Sequence, residues 1–244
     1  GALFYNTTGF ANTATGTYSL NNNSIGNNNT AIGYRALESS TTGNFNTASG
    51  SNALSYNTTG LWNTGIGSNA LYFNIEGNAN VAVGNAALLS NATGSSNTAN
   101  GTDALFWNIS GSSNTAIGHR TLFTNTTGVN NTAVGKEALL TILTGSNNTA
   151  IGYKADVAED AIVNATAIGS NAYAGASNSV VIGSVNGVNG ATASANVGIG
   201  TSAPDSKAIL ELKSTNQGIL FPRLTSLQRN AIVNPPDGLH LYNT

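Results

Sequence analysis

The residues of this chain that could perform acid–base chemistry are few and widely separated. Asp103 and Glu137 hold equivalent repeat positions and could supply the paired carboxylates of a polysaccharide-cleaving enzyme. His119 stands where equivalent positions carry Tyr, Ser or Lys, which favours an exposed, inert imidazole, and His240 lies far from it in sequence. The sequence therefore predicts no catalytic residues and no enzyme.

Two short segments could bind a ligand. The segment from Gly128 to Glu137 imitates a phosphate loop, but its glycine spacing is too long and Glu137 replaces the hydroxyl residue that a metal requires. Asp156, Glu159 and Asp160 could hold a hard cation such as calcium, although a solvated loop is the favoured interpretation. We expect neither a metal site nor a cofactor.

Composition excludes several classes of partner. Only 7% of the 244 residues are charged, the net charge is −2, and the few Lys and Arg are scattered, which argues against nucleic acid or an anionic membrane surface. There is no Cys and no long apolar run. The chain opens within a repeat, so we expect it to be part of a longer protein whose anchor or secretion signal lies elsewhere.

A repeat of seventeen residues positions all of these groups. The glycine that closes the motif Asn-Thr-Ala-x-Gly recurs without interruption at Gly16, Gly33, Gly50, Gly67, Gly84, Gly101, Gly118, Gly135, Gly152 and Gly169. An Ala-Leu pair keeps the same period from Ala36-Leu37 to Ala138-Leu139, with Thr121 in place of Ala at one step. A fixed period of this size indicates stacked units, and short strand-like stretches bounded by Gly and Asn predict an all-β parallel β-roll or β-solenoid with one coil per repeat.

Strand alternation separates two columns of side chains in this coil. We expect the branched residues before the glycine, such as Ile32 and Ile117, to face the Leu column inside the coil. The Ala/Gly column from Ala31 to Ala167 would then meet another surface. Two buried aliphatics per coil fall short of the ordering entropy of seventeen residues, and although ladder hydrogen bonds narrow the gap, a single-chain roll would remain marginal. The expected remedy is self-association as a homotrimer, with the Ala/Gly column at the subunit interface.

The repeats carry a family resemblance. NTAIGYRAL, NTAVGKEAL and the shorter SNAYAGASNSVVIG resemble the head repeats of trimeric autotransporter adhesins and related repeats of phage and tail-like-particle fibres. This resemblance covers about residues 1–200 and implies a left-handed, trimeric, parallel β-roll. The seventeen-residue unit exceeds the usual fourteen by an N-x-T-G loop. The segment from NVGIG onward is similar to C-terminal regions of fibre-like surface and tail proteins.

Composition changes near residue 200, where Pro204, Pro222, Pro235 and Pro236 follow the last repeat. We therefore divide the chain into a repetitive β-roll shaft or head at 1–200 and a small mixed module at 201–244. In the module, AILELKST and LHLYN predict strands, TSLQRNAI predicts a helical turn with a Thr or Ser N-cap, and PPDG predicts a turn. We expect a connector or trimer clamp.

Three columns could form surfaces with a role. Asp103, Arg120, Glu137 and Lys154 alternate in sign through four consecutive coils, which predicts an ion ladder that sets register. The Thr column beginning at Thr13 invites an ice-binding interpretation, although a partly buried ladder is favoured. An apolar stripe follows the Leu column and comprises Tyr72, Phe73, Phe106, Trp107, Phe123 and Leu140. It could stack on sugars, or neighbouring subunits could cover it, and the second alternative is favoured.

The function favoured by these patterns is a structural and adhesive fibre segment that presents a receptor-binding end, located outside the cell, on the cell surface or on a virion. Its partners would be itself, as a homotrimer, and a host glycan or cell-surface receptor. A carbohydrate- or ice-binding repeat surface is the alternative, and a polysaccharide depolymerase spike is a weaker one.

Overall fold

A computed structural model describes residues 1–158 and 160–244 of the chain, and Glu159 lies outside the described residues. The chain forms two compact units, residues 1–195 and residues 196–244.

The first unit is a parallel β-solenoid. Its strands are β1 Thr13–Thr15, β2 Thr30–Ile32, β3 Thr47–Ser49, β4 Thr64–Ile66, β5 Val81–Val83, β6 Thr98–Asn100, β7 Thr115–Ile117, β8 Thr132–Val134, β9 Thr149–Ile151, β10 Asp156–Val157, β11 Thr166–Ile168, β12 Tyr173–Ala174 and β13 Val180–Ile182. Eleven of these strands form one sheet in the order β1-β2-β3-β4-β5-β6-β7-β8-β9-β11-β13, and β10 pairs with β12.

Neighbouring strands pair one repeat apart in the sheet. Ala31 pairs with Ala48, seventeen residues later, whereas Ala167 pairs with Val181 across a fourteen-residue step. The predicted all-β solenoid with one coil per repeat is confirmed.

The interior contradicts the predicted orientation of the strands. The Leu column is fully buried, and so is the Ala column that was expected at a subunit interface, whereas Ile32 remains 47% exposed. A Cβ added at Gly65, in the Ala column, would lie 3.3 Å from Leu54 Cγ. The Leu side chains thus fill the coil so completely that a methyl group is the largest side chain the opposite strand admits. Branched residues are therefore forced outward.

Two columns of buried asparagine complete the interior. In one column, the Asn80 Nδ2 group donates to the Gly94 carbonyl (2.8 Å), and the Asn80 backbone N–H donates to Asn63 Oδ1 (3.0 Å). In the other, Asn91 Nδ2 donates to Asn74 Oδ1 (2.6 Å) and to the same Gly94 carbonyl (2.8 Å). The amides satisfy turn carbonyls that would otherwise be buried without a partner.

The chain turns sharply at each repeated glycine, and this turn explains why glycine recurs there. Gly67 has φ +128°, and a Cβ there would lie 2.5 Å from the Gly84 carbonyl oxygen of the next coil. The Leu column adopts the left-handed region as well, with φ +53° at Leu54 and +52° at Leu105. Burial of the Leu side chain compensates for this unfavourable backbone conformation.

The second unit consists of short elements. These are β14 Val197–Ile199, β15 Leu210–Leu212, β16 Arg223–Leu224, α1 Ser226–Asn230 and β17 Tyr242–Asn243. Strands β14 and β15 pair in parallel, as do β16 and β17. Helix α1 begins at a capping box, in which Thr225 and Gln228 bond reciprocally. Every residue from 196 to 244 is half-buried or exposed.

Candidate functional site

The outward side of the eleven-stranded sheet forms one regular surface, here called the sheet face. Its first column is Thr13, Thr30, Thr47, Thr64, Val81, Thr98, Thr115, Thr132, Thr149, Thr166 and Val180, and its second is Thr15, Ile32, Ser49, Ile66, Val83, Asn100, Ile117, Val134, Ile151, Ile168 and Ile182. Side chains of both columns are half-buried or exposed in the single chain. The sheet face therefore presents branched apolar groups along the whole rod, spaced about 4.8 Å from coil to coil.

A second surface follows the Leu column and is here called the aromatic ledge. It comprises Tyr56, Tyr72, Phe73, Phe106, Trp107, Phe123 and Leu140. Tyr56, Phe73 and Trp107 are exposed, and the other four side chains are half-buried. Because the Leu column faces the Ala column across the interior, the ledge and the sheet face lie on different sides of the coil.

The rings of the ledge form two clusters. In the first, Tyr56 stacks on Phe73 of the next coil with ring centroids 5.3 Å apart, and Tyr72 meets both rings edge-on. In the second, Phe106 stacks on Phe123 at 5.3 Å and Trp107 contacts Phe106 edge-on at 4.8 Å. Offset and edge-on pairs of this kind hold each other in place. The rings of both clusters are thus held in place by contacts within the single chain.

The predicted ion ladder is formed at one of its steps. Lys154 Nζ lies 3.7 Å from Glu137 Oε2, and Lys136, outside the column, lies 3.5 Å from the same carboxylate. The Arg120 guanidinium instead lies over the Phe123 ring, 4.4 Å from its centroid. The structure therefore brings Arg120 to the aromatic ledge. The predicted role of Asp103, Arg120, Glu137 and Lys154 in setting register stays a prediction.

Asp156 is a buried carboxylate that sequence reasoning treated only as part of an acidic run. It occupies the Leu phase of the repeat and is 5% exposed. Its oxygens accept from the Thr141 hydroxyl (3.2 Å) and the Val157 backbone N–H (2.9 Å). Burial raises the pKa of Asp156 to about 6, although these hydrogen bonds act in the opposite direction. Its place in the Leu column was the signal available in the sequence.

The other titratable groups do not converge where the structure describes them. In residues 1–158 and 160–244, no three His, Asp or Glu side chains lie close enough together to hold a metal ion. His119 is exposed, and Asp103 and Glu137 are half-buried. The acidic run at 156–160 includes Glu159, so the predicted choice between a cation site and a solvated loop lies partly outside the described residues.

Many apolar side chains of the second unit are exposed, a feature that the sequence patterns did not reveal. Leu227 is 83% exposed, Val233 81%, Ile209 75% and Leu220 74%. A surface so rich in apolar groups normally marks an interaction site. No helix in the described residues is both long and apolar enough to cross a membrane.

Comparison with known families gives one finding. Residues 198–244 match the family model described as a phage tail like trimerisation region. A search of curated proteins found no match. The matched segment covers nearly all of the second unit, and the predicted likeness of the repeats to autotransporter adhesin heads stays a prediction.

Proposed function

We propose, from a β-solenoid and a phage tail-like trimerisation region in one chain, that this protein is a fibre-type structural protein. The solenoid would be the shaft or head of the fibre, and residues 196–244 would join three chains. The observation that carries the proposal is the coincidence of the matched region with the unit whose apolar side chains are exposed. Such a fibre would lie on a virion or outside a cell, and we assign it no enzymatic activity.

The geometry of the rod suits a structural role. Parallel strands bond in register from coil to coil, and the asparagine columns add side-chain hydrogen bonds along the same axis. Each coil contacts mainly its neighbours, so the length of the rod grows with the number of repeats.

The sheet face is the proposed contact between shafts in the trimer. Parallel copies aligned along the rod would repeat the same contact in every coil, and the sheet face offers a comparable set of side chains in all eleven strands. Ile66, Ile117 and Ile151 are each more than 40% exposed in the single chain, so close approach of another copy would remove apolar area from water. This assignment replaces the Ala/Gly column, which lies inside the coil.

The mass of the assembly tests the proposal. Light scattering on the full chain, coupled to size-exclusion chromatography, should give about 74 kDa, three times the chain mass of 24.6 kDa. A single-chain mass at micromolar concentration would contradict the trimeric fibre.

The regular Thr and Ile columns also favour a second candidate function, ice binding by the sheet face. A flat array of this kind would have to be accessible to water. Thermal hysteresis measured on the intact assembly tests the idea: activity that is lost on Thr115→Tyr would support ice binding, and its absence in the wild type would exclude it. A sheet face covered by other subunits would show none.

A further inference from the structure

We infer that the aromatic ledge binds an acidic polysaccharide, with the exposed Trp107 ring receiving a sugar face and Arg120 receiving a carboxylate. This inference rests on the proposed fibre function, because it names the ligand class that the shaft would engage. The sequence favoured neighbouring subunits as the molecules that cover the ledge, and the present inference assigns a polysaccharide there instead.

The extent of the ledge argues against a second copy as its occupant. A contact between parallel chains recurs in every coil, but aromatic side chains do not hold the ledge positions in every coil. Phe4 and Tyr5 hold them in the first coil, Asn21, Asn22, Glu38 and Ser39 hold them in the next two, and aromatic side chains resume at Tyr56. The sheet face, in contrast, spans all eleven strands and suffices for the contact between copies. The ledge is therefore a local feature.

The shape of the ledge fits a chain of sugar rings. The stacked Phe106 and Phe123 rings support Trp107, whose exposed ring beside them is available to a sugar. The two clusters are two coils apart, about 10 Å at roughly 4.8 Å per coil, so an extended polysaccharide could contact both. Rings already fixed by one another lose little conformational entropy when a ligand binds.

The charges around the ledge favour an acidic polymer. Asp103 and Glu137 hold the repeat position of Arg120 in the two adjacent coils, but Glu137 is paired with both Lys136 and Lys154, so the cations outnumber the carboxylates. Arg120 lies on the Phe123 ring, and the three salt bridges among the described residues involve other cations, namely Arg35, Lys136 and Lys154. Its guanidinium donates no side-chain hydrogen bond within the described residues either. The aromatic contact therefore orients the guanidinium while its fork of donors stays available, and that fork matches a carboxylate.

The test uses the full-length chain and four immobilised polymers: polygalacturonate, alginate, hyaluronan and polysialic acid. Each is paired with the same polymer after reduction of its carboxylates to alcohols. Wild-type protein should bind at least one acidic polymer, more weakly as salt concentration rises, and should bind its reduced form at least about tenfold more weakly.

Three substitutions locate the site. Arg120→Gln should remove the preference for the acidic over the reduced polymer, and Trp107→Ala should weaken binding to both by about tenfold. The matched control is Trp62→Ala, because Trp62 is exposed to a similar degree (58% against 50% for Trp107) but stacks on Phe45, away from the ledge. Binding by the control should equal that of the wild type.

Several outcomes would overturn the inference. These are failure of the wild type to bind any of the four polymers, equal binding of acidic and reduced forms, or wild-type affinity in both Arg120→Gln and Trp107→Ala. Dissociation of the assembly by Phe106→Ser combined with Phe123→Ser, without polymer binding by the wild type, would assign the ledge to a subunit contact. The mass of the assembly is measured for every variant, so failure of the fibre proposal is recognised separately.

Discussion

The solenoid and the C-terminal unit bury their apolar residues in opposite ways. In the solenoid, the Leu and Ala columns of successive coils are fully buried within one chain. In residues 196–244, no side chain reaches that state, and large apolar groups such as Leu220 and Val233 face solvent. The rod therefore contains its own core, whereas the C-terminal unit buries none within one chain, which is what the proposed trimer would supply.

Size explains part of this difference. The C-terminal unit has 49 residues, and its elements are three residues long at most, apart from a five-residue helix. Domains this small rarely bury enough surface to fold alone without disulfides or metals, and this chain contains no Cys. The solenoid avoids the limit because every added coil covers the previous one.

The largest expected effect comes from charging the exposed apolar groups of the C-terminal unit. Leu220→Asp combined with Val233→Asp should convert the trimer to single chains, because two charges would have to be buried between subunits. Light scattering should then report 24.6 kDa. Gln217→Asp, at an exposed polar position, is the control and should leave the mass unchanged. A trimeric double variant would show that these side chains stay in water.

The next effect tests the core of the rod. Ala116→Leu should lower the free energy of unfolding of the solenoid by about 3 kcal/mol, because Ala116 is fully buried and the position opposite is filled by a Leu side chain. Ile117→Ala, at the neighbouring outward position, should cost less than this in a single chain. Denaturant unfolding of both variants measures the difference. A larger loss from Ile117→Ala, measured on dissociated chains, would mean that the strands bury the opposite face.

Asp156 should make the stability of the rod depend on pH. Its folded-state pKa of about 6 lies above the ordinary Asp value of 3.8, so between these pH values the native state holds a proton that the unfolded state has released. This contribution to stability is complete below pH 3.8 and is lost as pH rises through 6. Asp156→Asn should therefore stabilise the rod by about 2–3 kcal/mol at pH 8 and have little effect at pH 3.5.

Melting temperatures at both pH values, with exposed Asp160→Asn as the control, measure this effect. A stabilisation by Asp156→Asn that is equal at pH 3.5 and pH 8 would contradict the burial of an ionised carboxylate.

The smallest expected effect is a gain in stability at Ser40, where the second asparagine column lacks an Asn. Ser40 replaces Asn there, and among the described residues both Ser40 Oγ and Asn23 Oδ1 are buried without a partner. In Ser40→Asn, the new amide should donate to Asn23 Oδ1 and to the Gly43 carbonyl, as Asn74 donates to Asn57 Oδ1 and to the Gly77 carbonyl. These bonds should raise the free energy of unfolding by about 1 kcal/mol. Calorimetry should show a higher melting temperature for Ser40→Asn than for Ser39→Asn. A lower one would mean that the column does not stabilise the rod.

The period of the repeat was enough to predict the solenoid and its register, and local alternation and capping signals predicted β15, α1 and β17 of the C-terminal unit. The orientation of the strands was not predictable, because Thr-Ala-Ile alternates equally well with either face inward. The choice depends on the space left by the Leu side chains, whose left-handed backbone conformation has no signature in the sequence. The ledge residues could be identified from their repeat positions. The sequence did not predict that Arg120 contacts the Phe123 ring and not a carboxylate of the adjacent coils, because that contact depends on side-chain orientation.

Hydrogen exchange of the full chain, followed by mass spectrometry at decreasing protein concentration, tests the central claim most directly. As the assembly dissociates, amides of residues 196–244 should lose protection, whereas amides of strands β2 to β9 should keep theirs, because their core lies within one chain. Equal protection of residues 196–244 in the trimer and in the dissociated chain would contradict the account. So would a simultaneous loss of protection in both units.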